Sequence, residues 1–347
     1  MPEPVSHERV LGAGRVAIVV RRRPVLVVLA LLAIALVSGL ATLSVGKLGI
    51  PVGDLPTVLT GNGSRTQEWT LFTSRLPRLA VAALAGAAFA VAGSIFQSVT
   101  RNPLGSPDVI GLGAGASAGA AAAALVWPGL VPVPVGALLG AGVAIIAVFL
   151  GTGRGFGAPH RMVVVGIAVG AMAIAFTQLA LVRVRREAAQ EVAVWITGSL
   201  SARSWSHAAL IGVVLLVALP CALALTRQLQ AAEMGDDLAT GVGVHVPRAR
   251  TLAVIVAVVL TGAAVSVCGP VAFVALTAPQ IARRLTRSSG PGMVAAAACG
   301  ALLLVLADLA AQHALPGVIL PVGVVTAVLG GVYLAFLLVR EWKQVAV

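Results

Sequence analysis

The fold is decided by residues 75–120, RLPRLAVAALAGAAFAVAGSIFQSVTRNPLGSPDVIGLGAGASAGA. Residues 76–99 form an apolar run of mostly small side chains, and a helix needs about 20 such residues to cross a bilayer. Asn102-Pro103-Leu104 follows this run. Proline lacks an N–H and pushes the preceding residue out of the helical region, so the helix breaks there. A run rich in glycine and alanine then resumes, and the stretch predicts two membrane-crossing helices joined by a sharp turn.

The composition of the whole chain agrees with this local pattern. Of the 347 residues, 59% are apolar and only 10% are charged, and the mean hydropathy is +1.02. Soluble proteins average about 25% charged residues, so a soluble domain, a disordered chain and a collagen-like fibre are excluded. The apolar runs are continuous rather than alternating, which disfavours a β-barrel. We predict an all-α polytopic membrane bundle of about ten transmembrane helices. The apolar runs span about 24–44, 76–99, 109–127, 134–152, 162–182, 207–225, 251–268, 270–285, 293–311 and 320–339.

The charge balance is basic, with 24 Lys and Arg residues against 12 Asp and Glu residues. In a soluble protein this would indicate nucleic-acid binding, but in a membrane protein basic residues collect on cytoplasmic loops and set the topology. No nucleic-acid partner is therefore expected. An even number of spans places both termini on one side, and the basic bias makes that side the cytoplasm. We predict a multi-pass protein of the cell membrane, with cytoplasmic tails at 1–23 and 341–347 and a transmembrane domain at 24–340.

Sequence motifs for enzymatic chemistry are absent. The chain has no G-x-x-x-x-G-K-[ST] phosphate loop, no H-E-x-x-H and no Cys/His set with metal-ligand spacing. Neither a catalytic site nor a bound cofactor or metal is predicted. Asp308 is the clearest ionisable residue within a span, and such residues are often functional. The alternative for Asp308 is a structural role near the end of its helix, held by a hydrogen bond.

Several spaced motifs carry a resemblance to a known family. The sequence has R-L-P-R at 75–78, a helix ending in G-x-x-x-Q at 93–97, and N-P-L-x-x-P-x-x-x-G at 102–111. Further along, residues 269–284 read GPVAFVALTAPQIARR. In these features the chain resembles the FecCD-type permease family over about residues 24–340. These proteins are the membrane subunits of ATP-binding-cassette (ABC) importers for ferric siderophores, haem and cobalamin.

The resemblance implies an architecture and a set of partners. It implies a type II ABC importer permease that forms the translocation pathway with a second permease subunit, in a homo- or heterodimer. Two ABC ATPase subunits inside would use ATP, and a substrate-binding protein outside would deliver the cargo, with membrane lipid around the bundle. A ferric siderophore is the expected cargo, and cobalamin and haem are the alternatives. A stand-alone secondary transporter is the competing class, but it would need a coupling-ion site, for which one aspartate is poor support.

The resemblance also assigns roles to two segments on the cytoplasmic side. Asn102, Pro103 and Leu104 are expected to help close the cytoplasmic gate, the alternative being a plain turn. The polar loop 226–250 is expected to dock on the ATPase, the alternative being a solvated loop whose charges set the topology. Its mixture of alanine, leucine and acidic residues predicts two short amphipathic helices interrupted at glycines. The coupling residues expected in this loop are Glu233, Gly235, Asp236 and Gly241.

On the outer side the resemblance assigns docking of the binding protein to Arg75. Arginine suits forked pairing with a carboxylate, and an outside arginine breaks the positive-inside bias. For Arg78, one turn later, the expectation is a side chain that snorkels to the membrane interface. The chain departs from the family pattern at Gln280, Gln312 and Ile319. The last two lie on the expected outer face and suggest a specialised docking half, such as one member of a heterodimeric pair.

Overall fold

Long apolar helices make up most of the computed structural model, which describes residues 8–13, 16–45, 49–153, 155–183, 186–288, 290–315 and 318–345. Fifteen α-helices and two β-strands lie within these residues. The strands are β1 (Glu8–Ala13) and β2 (Val16–Arg21). The helices are α1 (Arg22–Ser44), α2 (Leu55–Leu59), α3 (Arg65–Trp69), α4 (Leu76–Thr100), α5 (Leu112–Ala121), α6 (Val133–Gly151), α7 (Pro159–Val182), α8 (Arg186–Ile196), α9 (Trp205–Ala224), α10 (Thr226–Glu233), α11 (Asp236–Gly241), α12 (Val246–Cys268), α13 (Val274–Thr286), α14 (Met293–His313) and α15 (Val322–Val345).

The predicted all-α membrane bundle is confirmed. Within the described residues, seven helical segments are long and apolar enough to cross a bilayer, those built on α1, α4, α6, α7, α9, α12 and α14. Two shorter apolar stretches, Leu112–Val126 and Val322–Leu337, include α5 and part of α15. These account for nine of the ten predicted runs. The run at 270–285 differs, because α13 has 13 residues and carries Arg283 and Arg284 in its last turn. It is a short amphipathic helix rather than an apolar span.

α4 is the centre of the bundle and packs against α14, α12, α13 and α9. Most of its residues are buried, and many of them are alanine or glycine. A Cβ placed on Gly86 would lie 2.2 Å from the carbonyl oxygen of Gly300 on α14, so the two helix backbones are in contact. Small residues allow this approach, and in lipid helices associate through such close packing rather than through the hydrophobic effect.

α5, α6 and α7 form a second layer beside this centre. Gly119 of α5 meets Gly136 and Gly140 of α6, which again brings two backbones together. The outer faces of α1, α6, α7 and α9 expose leucine, valine and isoleucine side chains. A contiguous apolar surface of this size is foreign to soluble monomers and fits contact with lipid.

The predicted N-terminal tail contains two paired β-strands. β1 and β2 pair in antiparallel fashion, with Ala13 opposite Val16, and β2 passes directly into α1. The β-branched run of the second strand favours this extended conformation. At the other terminus α15 continues to Val345, so most of the predicted tail 341–347 extends a helix. The parts of the two predicted tails outside the described residues are 1–7, 14–15 and 346–347.

The bundle has two ends, which we name after the short helices that they carry. At the α10 end lie the start of α1, the end of α4, and the pair α10 and α11. At the α8 end lie the end of α1, the start of α4 and the end of α14. Polar side-chain contacts between helices concentrate at these two ends, so each end is a candidate site.

Candidate functional site

The break after α4 is a tight turn at the α10 end. Arg101, which ends the helix, has a left-handed backbone with a φ of 50°. The side-chain oxygen of Asn102 accepts a hydrogen bond from the Leu104 N–H (2.8 Å), a local turn typical of asparagine. Gln280 on α13 supports the turn, because its Nε2 donates to the Pro103 carbonyl (2.7 Å). The three residues predicted to form the gate are exposed at this end of the bundle.

The loop between α9 and α12 folds as two short helices, as predicted. Gly235 separates α10 from α11 with a φ of 129°, a conformation that residues with side chains rarely adopt. Gly241 is the last residue of α11. Alanines of both helices pack against the start of α12, while Met234 and Leu238 are 64% and 62% exposed. The two helices therefore present apolar side chains away from the bundle.

At the α10 end, two arginines bind Asp236 and so attach α11 to the bundle. Arg250 on α12 is 4% exposed and donates two hydrogen bonds to Asp236, of 2.9 and 2.7 Å. Arg101 binds the same carboxylate and also donates from Nε to the Ala232 carbonyl (2.7 Å). The hydrogen bond from Arg250 is the main cause that lowers the pKa of Asp236 below its ordinary value. Asp236 thus links α11 to the residue that precedes the turn.

A second ion pair joins α10 to α13. The guanidinium of Arg283 lies 3.7 Å from the carboxylate of Glu233 and donates to the hydroxyl of Ser98 on α4 (3.2 Å). α13 therefore contacts α10 through this arginine and the turn through Gln280. The loop helices, α13 and the turn form one connected polar network.

Sequence reasoning missed this network. It identified the acidic residues of the loop but assigned Arg101, Arg250 and Arg283 to setting the topology. A signal was present, since Asp and Glu total only 12 in the chain and three of them fall within residues 233–237. Acids concentrated on a basic side need cationic partners when they are partly buried. The identity of those partners depends on helix packing, which the sequence alone does not reveal.

A cavity of about 610 Å³ follows the wall of the bundle between the turn and the α8 end. α5, α15 and residues 270–276, which lead into α13, contribute most of its lining, and Ser106, Asp108, Ser117 and Thr197 are the polar members. Asp108 is exposed, and it is the acidic residue among the described residues of this lining. The cavity is open on one side, so the described part of this chain does not enclose it.

Arg75 lies at the α8 end, at the start of α4. Its Nη1 donates to the carbonyls of Thr42 (2.6 Å), Leu43 (2.8 Å) and Val45 (3.0 Å). These are carbonyls at and just after the end of α1, which lack partners within the helix. Arg75 therefore caps α1, and its half-buried side chain keeps its remaining donors.

Arg78 points inward rather than to the membrane interface, so the snorkelling expectation is wrong. Its Nε and Nη2 donate to both carboxylate oxygens of Asp308 on α14, at 2.8 to 3.1 Å. Gln312 donates to the same carboxylate (2.8 Å). Asp308 is 2% exposed, and a carboxylate this deeply buried needs a cation and additional hydrogen bonds. Asp308, the intramembrane acid indicated by the sequence, is therefore paired with Arg78 of the same chain.

Arg203 is a further cation at the α8 end, just before α9. Its side chain makes no hydrogen bond or ion pair to the residues that the structure describes, and its Nε is buried. Partial burial, with a smaller contribution from nearby Arg78, lowers the pKa of Arg203. The α8 end therefore carries a desolvated positive charge that Asp308 does not neutralise.

An apolar bundle with polar networks at both ends and an open cavity along its wall is the architecture of a membrane transport subunit. The comparisons with known proteins agree. The chain belongs to the FecCD transport family, which matches residues 31–340.

Relatives in two bacteria align over nearly the whole chain. The ferric enterobactin transport system permease protein FepG of Escherichia coli (strain K12) is 40% identical over 94% of this chain and 99% of its own. The Fe(3+)-citrate import system permease protein YfmE of Bacillus subtilis (strain 168) is 35% identical over 93% and 98%. The Fe(3+) dicitrate transport system permease protein FecD of Escherichia coli is 36% identical over 87% and 95%.

The fold matches a solved structure described as an inward-facing conformation of a metal-chelate type ABC transporter. The TM-score is 0.81 at 22% identity, covering 90% of this chain and 99% of the other. The chain is therefore a multi-pass membrane permease subunit of the ABC importer class, and it is not an enzyme.

Proposed function

We propose that this chain forms the pathway by which a ferric siderophore complex enters the cell. The observation that carries the proposal is the shared cargo class of its relatives. The permeases at 40%, 36% and 35% identity are named for ferric enterobactin, Fe(3+) dicitrate and Fe(3+)-citrate. All three cargoes are ferric iron held by a small organic chelator. Cobalamin and haem are the second candidates, carried by the resemblance to the family alone.

The α10 end is the proposed contact with two ATPase subunits, which would use ATP on this chain's behalf. Exposed Met234 and Leu238, in and beside the loop helices, supply apolar contact area, and the buried core of a protein interface is more apolar than its rim. Asp236 and Glu233 hold the loop helices to the bundle. A displacement of α10 and α11 by the ATPase would therefore be transmitted through the polar network to Asn102, Pro103 and Leu104. A gate that ATP opens requires such a connection.

The α8 end is the proposed contact with a substrate-binding protein. Arg75 keeps donors beyond those that cap α1, and Arg203 lacks a partner among the described residues. Ile319, also at this end, is 62% exposed. Cations flanking an exposed apolar residue fit a partner surface that carries carboxylates.

The open cavity is the proposed wall of the translocation pathway. A second permease subunit, identical or different, would close it and complete the channel. Residues 269–286 are not an apolar span, yet they lead the chain from Gly269, beside Gly198, to Arg283, beside Glu233 of α10, so the number of passes stays even. The proposed orientation has the α10 end and both termini in the cytoplasm and the α8 end outside, in agreement with the basic bias. Membrane lipid surrounds the apolar outer faces.

Uptake by a deletion strain tests the cargo. Cells lacking the chain would receive radiolabelled ferric complexes of catecholate, citrate and hydroxamate chelators, and separately labelled cobalamin and haem. We expect loss of uptake for one ferric complex and its restoration by the intact gene. Loss of cobalamin or haem uptake with normal uptake of every ferric complex would overturn the cargo proposal.

The same assay tests the dependence on ATP. The control strain carries the intact chain beside a partner ATPase whose phosphate-loop lysine is replaced. Uptake that persists in this strain would point to a stand-alone transporter instead.

A further inference from the structure

A separate cavity of about 430 Å³ lies at the α10 end, among the start of α1, the junction of α9 with α10, and the start of α14. It shares no residue with the turn or with the wall cavity. Its walls include the exposed apolar side chains of Val25, Leu29, Leu223 and Val294. Because these residues belong to helices that cross the bilayer, the cavity opens toward the edge of the hydrocarbon core.

One part of this cavity is polar. Thr226, Gln230, Thr286 and Ser288 line it. The buried Thr286 hydroxyl donates to the Ala282 carbonyl (2.7 Å) and lies 2.8 Å from the hydroxyl of Ser288. The Thr226 hydroxyl has only long contacts, 3.5 Å to the Ala222 carbonyl and 3.9 Å to the Met293 sulfur. A hydroxyl held so loosely can donate to a ligand at little cost. The cavity therefore combines a hydroxyl-lined part with apolar walls.

Three arginines belong to the segments that line the polar part. Arg23 donates from Nε to the Leu285 carbonyl (2.9 Å), which holds the start of α1 against α13. Arg227 and Arg287 are immediate chain neighbours of the lining threonines, and both are exposed. No acidic residue is found among the described residues of the lining, and the acid at the end of α10 already lies against α13. The surroundings of the cavity are therefore cationic.

We propose that this cavity binds an anionic phospholipid. The phosphate lies at the hydroxyls of Thr226 and Ser288, with the neighbouring arginines as counter-ions, and an acyl chain lies along Leu29, Leu223 and Val294. Basic pockets between membrane helices at headgroup depth recognise anionic lipids in this way. Hydrogen bonds from arginine and hydroxyl groups to phosphate oxygens are of the strong, charge-assisted kind.

The composition of the cavity decides against two other occupants. A free phosphate ion would use the hydroxyls and leave the apolar walls unfilled. A purely apolar molecule would fill the walls and would bring no acceptor to the loosely held Thr226 hydroxyl and no counter-ion to the exposed Arg227 and Arg287. A molecule with a phosphate at one end and a hydrocarbon chain at the other matches both parts.

The lipid would also hold α1, the least buried of the seven long apolar spans among the described residues. α1 buries only a small share of its residues against the rest of the chain. A lipid held between α1, α9 and α14 adds contacts on the side where the protein supplies few. We therefore expect anionic lipid to stabilise the attachment of α1.

Photocrosslinking tests the proposal with the full-length chain in nanodiscs of phosphatidylcholine. A small fraction of lipid is a phosphatidylglycerol that carries a photoactivatable acyl chain, and labelled peptides are mapped by mass spectrometry. We expect labelling in the peptides that contain Leu29, Leu223 and Val294. Unlabelled phosphatidylglycerol should compete, whereas unlabelled phosphatidylcholine should not. Equal competition by the two lipids, a test that needs no variant, would overturn the proposal.

Matched variants separate the site from general attraction to the membrane. Thr226→Glu places a carboxylate in the polar part and should abolish the selective labelling, while Thr226→Gln of similar size should keep most of it. Arg227→Gln should reduce selective labelling by about fivefold, the effect of one arginine near an anionic surface. Arg161→Gln removes an exposed cation at the same end and outside the cavity lining, and should change little. A loss as large in Arg161→Gln as in Arg227→Gln would show non-specific attraction and overturn the site.

Discussion

Arg78 and Asp308 show how this bundle accommodates a buried charge. Their side chains are 16% and 2% exposed, and both carboxylate oxygens are bound by the guanidinium. Pairing makes such a charge tolerable, yet a buried pair is weak support for stability in its own right. The severe effect arises when one partner is removed and the other stays buried alone.

We therefore expect Arg78→Ala to destabilise the chain by about 3–5 kcal/mol, the cost of an uncompensated buried charge. The double variant Arg78→Met with Asp308→Leu should recover most of that loss, because neither charge remains. Thermal unfolding in detergent measures both. Arg65→Ala, an exposed arginine at the same end, is the control. Equal destabilisation by the single and double variants would show that the ion pair itself supports the fold.

Arg75 combines a capping contact with a proposed docking role, and two substitutions separate them. Arg75→Glu reverses the charge and should slow capture of the binding protein, with the largest difference at low salt. Arg75→Lys keeps the charge but lacks the Nη1 group that donates to the three carbonyls, so it should weaken the cap of α1 more than the rate of capture. Association kinetics at low and high salt, together with melting curves, measure the two effects.

Arg65→Glu is the matched charge reversal at this end, since Arg65 is exposed and caps no helix. Docking through Arg75 is refuted if the association rate at low salt is the same in Arg75→Glu and the unaltered chain. A loss of the same size in Arg65→Glu would assign the effect to overall charge.

At the residue scale, the sequence indicated Asp308 but not the residue that pairs with it. Asp308 was visible because an acid in an apolar run is rare. Its partner was not, because Arg78 lies 230 positions away in the chain and periodicity relates only neighbouring turns. The same limit hid the pairing of Arg101 and Arg250 with Asp236.

At the scale of elements, the joint between α10 and α11 depends on one glycine. Gly235 has a φ of 129° and open space around it, so only its backbone conformation resists substitution. Gly235→Val should distort the pair of helices and reduce recovery of the ATPase subunits with the purified chain. Gly241→Ala is the matched control, because this residue is helical and a Cβ there meets nothing within 4 Å.

Normal recovery of the ATPase with Gly235→Val would contradict docking through this element. If Gly241→Ala alone loses the ATPase while the chain remains folded, the partner must occupy the open space beside Gly241. That result would place the contact on the end of α11.

Asp236 provides a prediction about coupling and pH. Asp236→Asn should loosen α11 from the turn and lower cargo uptake more than ATP hydrolysis, whereas Asp237→Asn, an exposed neighbour, should change neither. The folded-state pKa of Asp236 is lowered, so its contribution is present above the ordinary carboxyl pKa of about 3.9 and disappears as pH falls through the lowered value. The unaltered chain should therefore be more stable than Asp236→Asn at neutral pH, and the two stabilities should converge in acid.

Melting curves from neutral pH to about pH 3 measure this convergence. A constant difference across that range would mean that the ion pairs do not account for the effect of Asp236→Asn. Equal loss of uptake in Asp237→Asn would assign the effect to the charge of the loop rather than to its attachment.

The elements themselves were largely predictable, because long apolar runs leave few alternatives to a membrane helix. The run 270–285 was not, since its apolar start joins an amphipathic helix whose last turn holds Arg283 and Arg284. The pair of β-strands before α1 was also missed. Its basic residues and its position before the first span indicated a tail, and only the β-branched stretch 16–20 favoured a strand.

At the scale of the whole molecule, the bundle is rigid at its centre and incomplete at its wall. α4 and α14 touch through Gly86 and Gly300, where any larger residue would force the backbones apart. The turn that follows α4 is fixed to this centre, and the open cavity lies beside it. A second subunit placed over the cavity would bring the two turns toward a common axis. The gate hypothesis can therefore be tested by measuring the distance between the turns of the two subunits.

Cysteine crosslinking measures that distance. Leu104 is 45% exposed at the turn, so Leu104→Cys, paired with a cysteine at the corresponding position of the second permease subunit, should crosslink when the gate is closed. Crosslinking should fall when the ATPases are trapped in the nucleotide state that opens it, because the network through Asp236 and Arg101 moves the turn. Asn102→Ala should lower the yield further by removing the side-chain oxygen that holds the Leu104 N–H.

The native cysteines favour this experiment. Cys268 and Cys299 are buried and Cys221 is exposed. The substitution Cys221→Ser therefore removes the exposed native thiol and lowers the background crosslinking. Arg161→Cys, exposed at the same end on α7, is the control position away from the turn. Crosslinking that is absent in every nucleotide state would place the turn off the axis, and the gate assignment of Asn102, Pro103 and Leu104 would fail. Crosslinking of equal yield in every state would show that the two turns lie close together and that ATP does not move them.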